Sequence, residues 1–285
     1  MGIVMASTGG AYLEEIEKWR TQRETRLKSD TGWLTVAGLF WLKEGDNRFG
    51  TAPENDIVLP EGSAPPRAGV FLLQQGRCSV TIEPGVAATL QGNPAPLTTA
   101  SLRDDTQPEP EVLEMGRLRM FVIKRGERFA IRMRDLDSQM RKEFTGLHWY
   151  PIEESWRVTA RFEPFDAPRE IPVPNILGET EKMPSPGVVR FELRGRSLSL
   201  QPVMETPGAR QLFFIFKDTT AGKATYGAGR FLYADLPADG KVVLDFNKAY
   251  TPPCAFTPYA TCPLPPEGNR LDIPIEAGEL NYGTH

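Results

Sequence analysis

Histidine is almost missing from this chain: the 285 residues hold two, His148 and His285. That excludes a multi-histidine metal centre. His148, set between Leu147 and Trp149, reads as a half-buried packing residue rather than a base. His285 is the last residue and is expected to be mobile. Cysteine is scarce too, and three (Cys78, Cys254, Cys262) are too few for a disulfide-rich secreted scaffold. No run approaches the roughly 18 apolar residues of a membrane helix. The longest, 33–42, is interrupted by Thr35 and Gly38. No Lys or Arg precedes Lys18, and no apolar core of signal-peptide length is present. A cytoplasmic product with no membrane partner is the expectation. The net charge of −4 carries no basic excess, so nucleic-acid binding by phosphate neutralisation is not expected.

Catalytic signatures are absent as well. There is no Gly-x-Ser-x-Gly elbow, no His-Glu-x-x-His, no Walker loop and no Cys-x-x-Cys. Gly227-Ala-Gly229 lacks the third glycine and the strand-to-helix setting of a dinucleotide loop. No cofactor and no metal is therefore expected, and any enzyme here would be a metal-independent hydrolase or a related acid–base catalyst.

What is present is the composition of a globular protein, 40% apolar and 25% charged, long enough to bury a real core. Glycine and proline at 26 each favour turns and short strands over long helices. Residues 11–28 form the one clear amphipathic helix pattern, with Leu13, Ile16, Trp19 and Leu27 near helical spacing. Glutamates gather at its start and basic residues at its end, as the helix dipole prefers. From Gly32 onward short strand-like runs follow, at 47–50, 57–59, 70–74, 78–83, 112–115, 118–124 and 129–134, with Gln75-Gly76 and Arg125-Gly126 as hairpin turns. Runs at 156–162, 188–193, 197–202, 212–216, 229–233 and 241–246 make a second strand-rich half, the pair at 188–202 turning at Arg194-Gly195. The fold class is mainly β: sandwich or barrel-like halves, an N-terminal amphipathic helix and a Pro/Cys-rich C-terminal loop. The expected divisions are 11–162, helix plus first β region, and 188–282, second β region. A Pro-rich connection over 163–187 would join them.

The most distinctive stretch is 245–266, which holds two cysteines, six prolines and four aromatic rings. Six prolines impose a specific irregular path, and rings with paired cysteines do not belong in a flexible linker. An ordered, packed loop follows. Cys254 and Cys262 lie at a separation that permits a disulfide. They lack further ligands for zinc, and two buried structural thiols is the leading expectation for them.

Two polar clusters flank or enter this loop. The first, 218–230, combines small residues with the donors Lys223, Thr225, Tyr226 and Arg230; Arg offers a planar fork for a carboxylate or phosphate. Its bland alternative, a glycine-rich hairpin with solvated charges, is the favourite from that stretch alone. The second comprises Asp245, Asn247, Tyr250, Tyr259, Asn269 and Glu279. In a strand, Asp245 and Asn247 face one side and Phe246 the other. They either orient a ligand or tie the loop down.

These residues resemble a known family. Thr-Tyr-Gly-Ala-Gly-Arg-Phe at 225–231, the 245–266 motif, Asn269-Arg-Leu, Ala277-Gly-Glu and the upstream Gly-Trp-Leu-Thr-Val-Ala-Gly-Leu-Phe-Trp-Leu at 32–42 are similar to the bacterial and archaeal "domain of unknown function 1684" family. The resemblance implies one family-wide unit and transfers no reaction. Residues 39–83 resemble, more weakly, the opening of a forkhead-associated β-sandwich. That resemblance implies the sandwich but not phosphothreonine reading. Thr51 follows Gly50 where those modules place an arginine, and Ser63-Ala-Pro-Pro lacks their histidine.

The functional expectation is binding of a small polar or anionic molecule at the C-terminal clusters, with hydrolysis or related acid–base turnover if the protein is an enzyme. In that scheme Asp245 handles a proton, Arg230 anchors an anionic group, and Tyr226, Asn247, Tyr250, Asn269 and Glu279 complete the site. The competing expectation is a non-catalytic protein-interaction module whose C-terminal motif is architectural.

Overall fold

The computed structural model describes residues 8–206 and 208–283, and His285 lies outside them. The chain divides into two compact units. One is Leu27–Phe144; the other takes the N-terminal helix up to Arg26 together with the chain from Thr145 onward. The boundary expected at 162 thus falls earlier, and the helix joins the second β region rather than the first.

The unit Leu27–Phe144 begins with a short 3-10 turn, Trp33–Thr35, and then runs through ten strands. These are β1 (Val36–Trp41), β2 (Gly45–Gly50), β3 (Ile57–Val58), β4 (Gly69–Gln74), β5 (Arg77–Ile82), β6 (Thr89–Leu90), β7 (Thr99–Leu102), β8 (Leu113–Met115), β9 (Leu118–Arg125) and β10 (Arg128–Asp135). They assemble as two five-stranded sheets, β1-β10-β9-β8-β6 and β3-β2-β4-β5-β7. Strand alternation sends Phe49, Phe71 and Val80 from one sheet, and Leu118, Met120, Val122 and Ile131 from the other, into one buried core. Phe49 and Phe71 stack there at 4.5 Å. This is a β-sandwich. The Gln75-Gly76 turn has positive φ at both residues, 50° and 73°, the geometry a two-residue hairpin requires. The next turn falls one residue later than expected, at Gly126-Glu127, because Arg125 itself pairs with Arg128.

The other unit opens with α1 (Thr8–Lys28). Its buried stripe is Tyr12, Ile16, Arg23 and Leu27, while Leu13 remains 44% exposed. Tyr12 rather than Leu13 starts the stripe, and a cation, Arg23, sits within it between Ile16 and Leu27. Six strands follow: β11 (Arg157–Pro174), β12 (Thr180–Leu193), β13 (Arg196–Leu200), β14 (Gln211–Phe216), β15 (Arg230–Asp235) and β16 (Lys241–Asp245). One sheet has the order β13-β12-β11-β16, and β14 pairs with β15. Trp156, Phe191, Phe214, Phe216, Leu244 and Phe246 fill the core between them.

Residues 163–187 are not a connection. They belong to β11 and β12, which continue past the four-stranded sheet as a two-stranded ribbon with a register shift between Pro164 and Arg169. Each strand of that ribbon has an outer edge that no ladder strand occupies among the described residues, where proline is tolerated, and there the carbonyl of Pro184 accepts from Met204 N–H at 2.8 Å. This explains why a Pro-rich stretch reads as linker yet pairs as strand. The ribbon's end ties to the Pro/Cys loop: Leu264 N–H donates to Pro174 O at 2.7 Å and Ile176 N–H to Cys262 O at 3.0 Å. The loop itself is ordered, as its prolines and rings require.

No sheet closes into a barrel among the described residues. Among the same residues, no helix is long and apolar enough to cross a membrane.

Candidate functional site

The residues expected to form one site are all in the second unit, but they fall into separate clusters. Asp245 ends β16 and caps the 3-10 turn Phe246–Lys248. This turn replaces the strand alternation expected for Asp245 and Asn247, yet both side chains still converge, on Tyr12 of α1. The Tyr12 hydroxyl donates to both Asp245 carboxylate oxygens, at 2.9 and 3.0 Å, and accepts from Asn247 Nδ2 at 2.9 Å. Asn247 is fully buried, with Nδ2 donating also to Glu153 O at 2.8 Å and Oδ1 accepting from Glu153 N–H at 3.2 Å. Burial, reinforced by the Asp245 charge, pushes the Tyr12 hydroxyl up, so it stays protonated and donating. The cluster pins the helix and the loop to the end of β16.

Arg230, at the start of β15, is 1% exposed. One guanidinium nitrogen donates to Asp218 Oδ2 and to Ile275 O, both at 2.8 Å, and another to Ala277 O. Asp218 in turn accepts from Thr220 Oγ1 at 2.6 Å and from Ile275 N–H at 3.2 Å. The stretch 218–230 is therefore no solvated hairpin. It folds inward because Arg230 and Asp218 pair with each other and with the incoming tail, as a buried charge needs, although the buried Arg230 Nε has no partner among the described residues. Asn269 is likewise closed, donating to Gln201 O and Ile215 O at 2.8 and 2.9 Å and accepting from Gln201 N–H at 2.7 Å.

Glu279 is fully buried against Arg23 of α1, whose Nε donates to it at 3.2 Å. Burial raises its carboxyl above the ordinary range, with the Arg23 charge opposing. The same Arg23 donates to Thr251 O at 2.9 Å and lies over the Tyr250 ring at 4.6 Å. Tyr226 stands elsewhere, half-buried and hydrogen-bonded to the Cys254 sulfur. His148 is exposed rather than half-buried. Its carbonyl receives Leu280 N–H at 2.8 Å.

One concavity of this unit lies beside these clusters, and a second, of about 640 Å³, opens on the outer face of β11–β13. The first, a cleft of about 590 Å³, is framed by Trp19, Arg23 and Arg26 of α1 and by Tyr233, Asp235 and Val243 of β15 and β16. Arg157, Lys248 and Tyr250 also line it, with Glu15 and Gln211. Its volume suits a small molecule. Arg23, Arg26, Arg157 and Lys248 bring four cations to the cleft beside the carboxylates Glu15 and Asp235, with Arg23 also paired to the buried Glu279. Lys248 donates to Glu15 at 2.5 Å, which holds that carboxyl below its usual range. Tyr233 and Tyr250 stack at 6.2 Å, and the Tyr233 hydroxyl donates to Glu205 at 2.5 Å. Burial pushes both phenols up, so both are neutral donors near neutral pH.

Of the expected site residues, only Tyr250 reaches this cleft. Arg23, Arg26, Arg157 and Tyr233 were missed. The one available signal was the triplet spacing of Arg20, Arg23 and Arg26, which places basic groups along one side of a helix.

The chain belongs to the family described as "Protein of unknown function (DUF1684)", whose profile matches residues 142–280. An uncharacterized protein of Haloarcula marismortui, solved by NMR in solution, is 31% identical to it. That similarity covers 51% of this chain and 81% of the other, with a TM-score of 0.43. The FhaA FHA domain, solved in complex with an intracellular domain, is 17% identical, covers 34% of this chain and 97% of its own, and has a TM-score of 0.24. Mycobacterium tuberculosis EmbR, solved with a low-affinity phosphopeptide, is 13% identical at a TM-score of 0.24, covering 41% of this chain and 28% of its own. No curated protein matches the chain.

Proposed function

We propose that the protein binds a small anionic molecule in the cleft between α1 and the β15–β16 face. The observation that carries this reading is the convergence of Arg23, Arg26, Arg157 and Lys248 on one concave surface with two tyrosines. Arginine forks match carboxylate and phosphate oxygens in pairs, and Tyr250 adds a neutral hydroxyl, the Tyr233 proton being engaged by Glu205. Asp245 and Asn247 hold α1 through Tyr12, and Glu279 holds it through Arg23, so these residues position one wall of the cleft. The reading is one of binding, and Asp245, engaged by Tyr12 and Asn247, serves as a brace.

Calorimetric titration of the full chain with inorganic phosphate and with a short dicarboxylate tests it. Arg157→Ala should weaken binding about tenfold or more, since a charge-assisted hydrogen bond contributes about 1.5–3 kcal/mol. Added salt should weaken the wild type in parallel. Absence of heat with every anionic probe, or unchanged affinity in Arg157→Ala, would overturn the proposal.

The alternative, an interaction module with an architectural C-terminal motif, draws support from the internal pairing of Arg230, Asp245, Asn247 and Asn269. It gains if the anion titrations are silent while substitutions in those residues still lower stability.

A further inference from the structure

Cys254 and Cys262 take no part in the anion cleft, yet they are set against each other and against a phenol. The short 3-10 turn Pro253–Ala255 bends the loop so that Cys254 N–H donates to Cys262 Sγ at 3.3 Å. The Cys262 side chain hydrogen-bonds the Cys254 thiol, and the Tyr226 hydroxyl does so too. Cys254 is half-buried and Cys262 buried, and both are free thiols. The setting of Cys254 differs from that of Cys78, which sits in the sandwich core of the other unit with its thiol donating to Ser79 O at 3.9 Å.

We propose that Cys254 and Cys262 form a peroxide-reactive dithiol, in which Cys254 is the attacking thiolate and Cys262 the resolving thiol. Hydrogen bonds from Cys262 and then Tyr226, working against burial, bring the Cys254 thiol down to about 7, so a large fraction is ionised at neutral pH. Burial pushes Cys78 up to about 12, which leaves it inert. The Cys254 thiolate attacks a peroxide oxygen; the O–O bond breaks, and the departing hydroxide takes a proton to become water. The product is a sulfenic acid at Cys254. The Cys262 sulfur then attacks the sulfenic sulfur, displacing its hydroxyl, which leaves as a second water with the thiol proton. Two thiols are oxidised by two electrons, and one hydroperoxide is reduced. The Cys254 amide, already donating to Cys262 Sγ, stabilises the resolving sulfur as it loses its proton. Tyr226 is a positioning residue: its phenol, held protonated by burial, keeps donating to the Cys254 sulfur.

The test is stoichiometric hydrogen peroxide added to the full chain at neutral pH, followed by alkylation and peptide mass mapping. The expected result is a Cys254–Cys262 disulfide within one chain, with Cys78 still alkylatable. In Cys262→Ser, Cys254 should accumulate as a sulfenic acid that a cyclic diketone traps. A second measurement needs no variant of either cysteine: the alkylation rate of Cys254 against pH should titrate near 7, and Tyr226→Phe should move that midpoint upward. The proposal is overturned if Cys254 reacts no faster than Cys78, or if peroxide leaves Cys254 over-oxidised beside an intact Cys262 thiol. An alkylation midpoint near the ordinary thiol value also overturns it.

Discussion

Replacing Arg230 by methionine removes the charge that the second unit buries most completely. The guanidinium and the Asp218 carboxylate are 1% and 2% exposed as side chains, so neither is screened by solvent. The change deletes donors to Asp218, Ile275 O and Ala277 O while keeping most of the side-chain volume. Breaking one partner of a buried pair costs about 3–5 kcal/mol, because the other charge is left without compensation. Asp218 would still receive the Thr220 hydroxyl, the Thr220 amide and the Ile275 amide. Those three donors hold the loss to the lower end, about 3 kcal/mol, or roughly a hundredfold in the folding equilibrium. Denaturant-dependent hydrogen exchange of the β14 and β15 amides measures this in the right unit. The double variant Arg230→Met with Asp218→Asn should lose clearly less than the sum of the single variants, since the second substitution removes the stranded charge. A loss under about 1 kcal/mol for Arg230→Met, or strict additivity in the cycle, would refute the view that Arg230 is a brace rather than a ligand anchor.

Three further outcomes follow from the same geometry. Tyr12→Phe removes the hydroxyl shared by Asp245 and Asn247 and should cost about 1–3 kcal/mol; equal urea midpoints for variant and wild type would contradict that bridge. Gly278→Ala should destabilise by about 1–3 kcal/mol or more, read as a lower melting temperature. Its φ is +80°, and a β-carbon there would meet Ala249 O at 2.4 Å and Phe246 O at 2.8 Å. The Cys78 thiol, raised in the fold from its ordinary 9.0 to about 12, contributes stability that is fully present below pH 9 and lost as pH rises toward 12. Across that window the sandwich should lose about 1.4 kcal/mol per pH unit relative to Cys78→Ala, whose profile should be flatter by that slope; parallel profiles would count against the burial argument.

Much of the architecture was legible in local pattern. Alternation at 118–124 and 129–134, and the Gln75-Gly76 and Arg194-Gly195 turns, each encode a strand pair that forms as read. Their information is local, since side-chain period and turn conformation are properties of a few adjacent residues. Proline misled at 163–187 for a related reason. Local sequence reports that a donor is missing, but only the sheet decides whether a neighbour needed it.

The candidate site was read less well, because pairing between distant residues leaves no local trace. Nothing in 218–230 states that Asp218 neutralises Arg230, and nothing in 245–247 announces Tyr12, more than two hundred residues earlier. Composition also hid the cleft: an acidic net charge says nothing about four cations gathered on one concave face. The sequence by itself determined the strands, the turns, the rigid Pro/Cys loop and the family. The tertiary structure alone decided which polar groups are spent on one another and which still face a cavity, because burial and charge compensation are set by neighbours in space rather than along the chain.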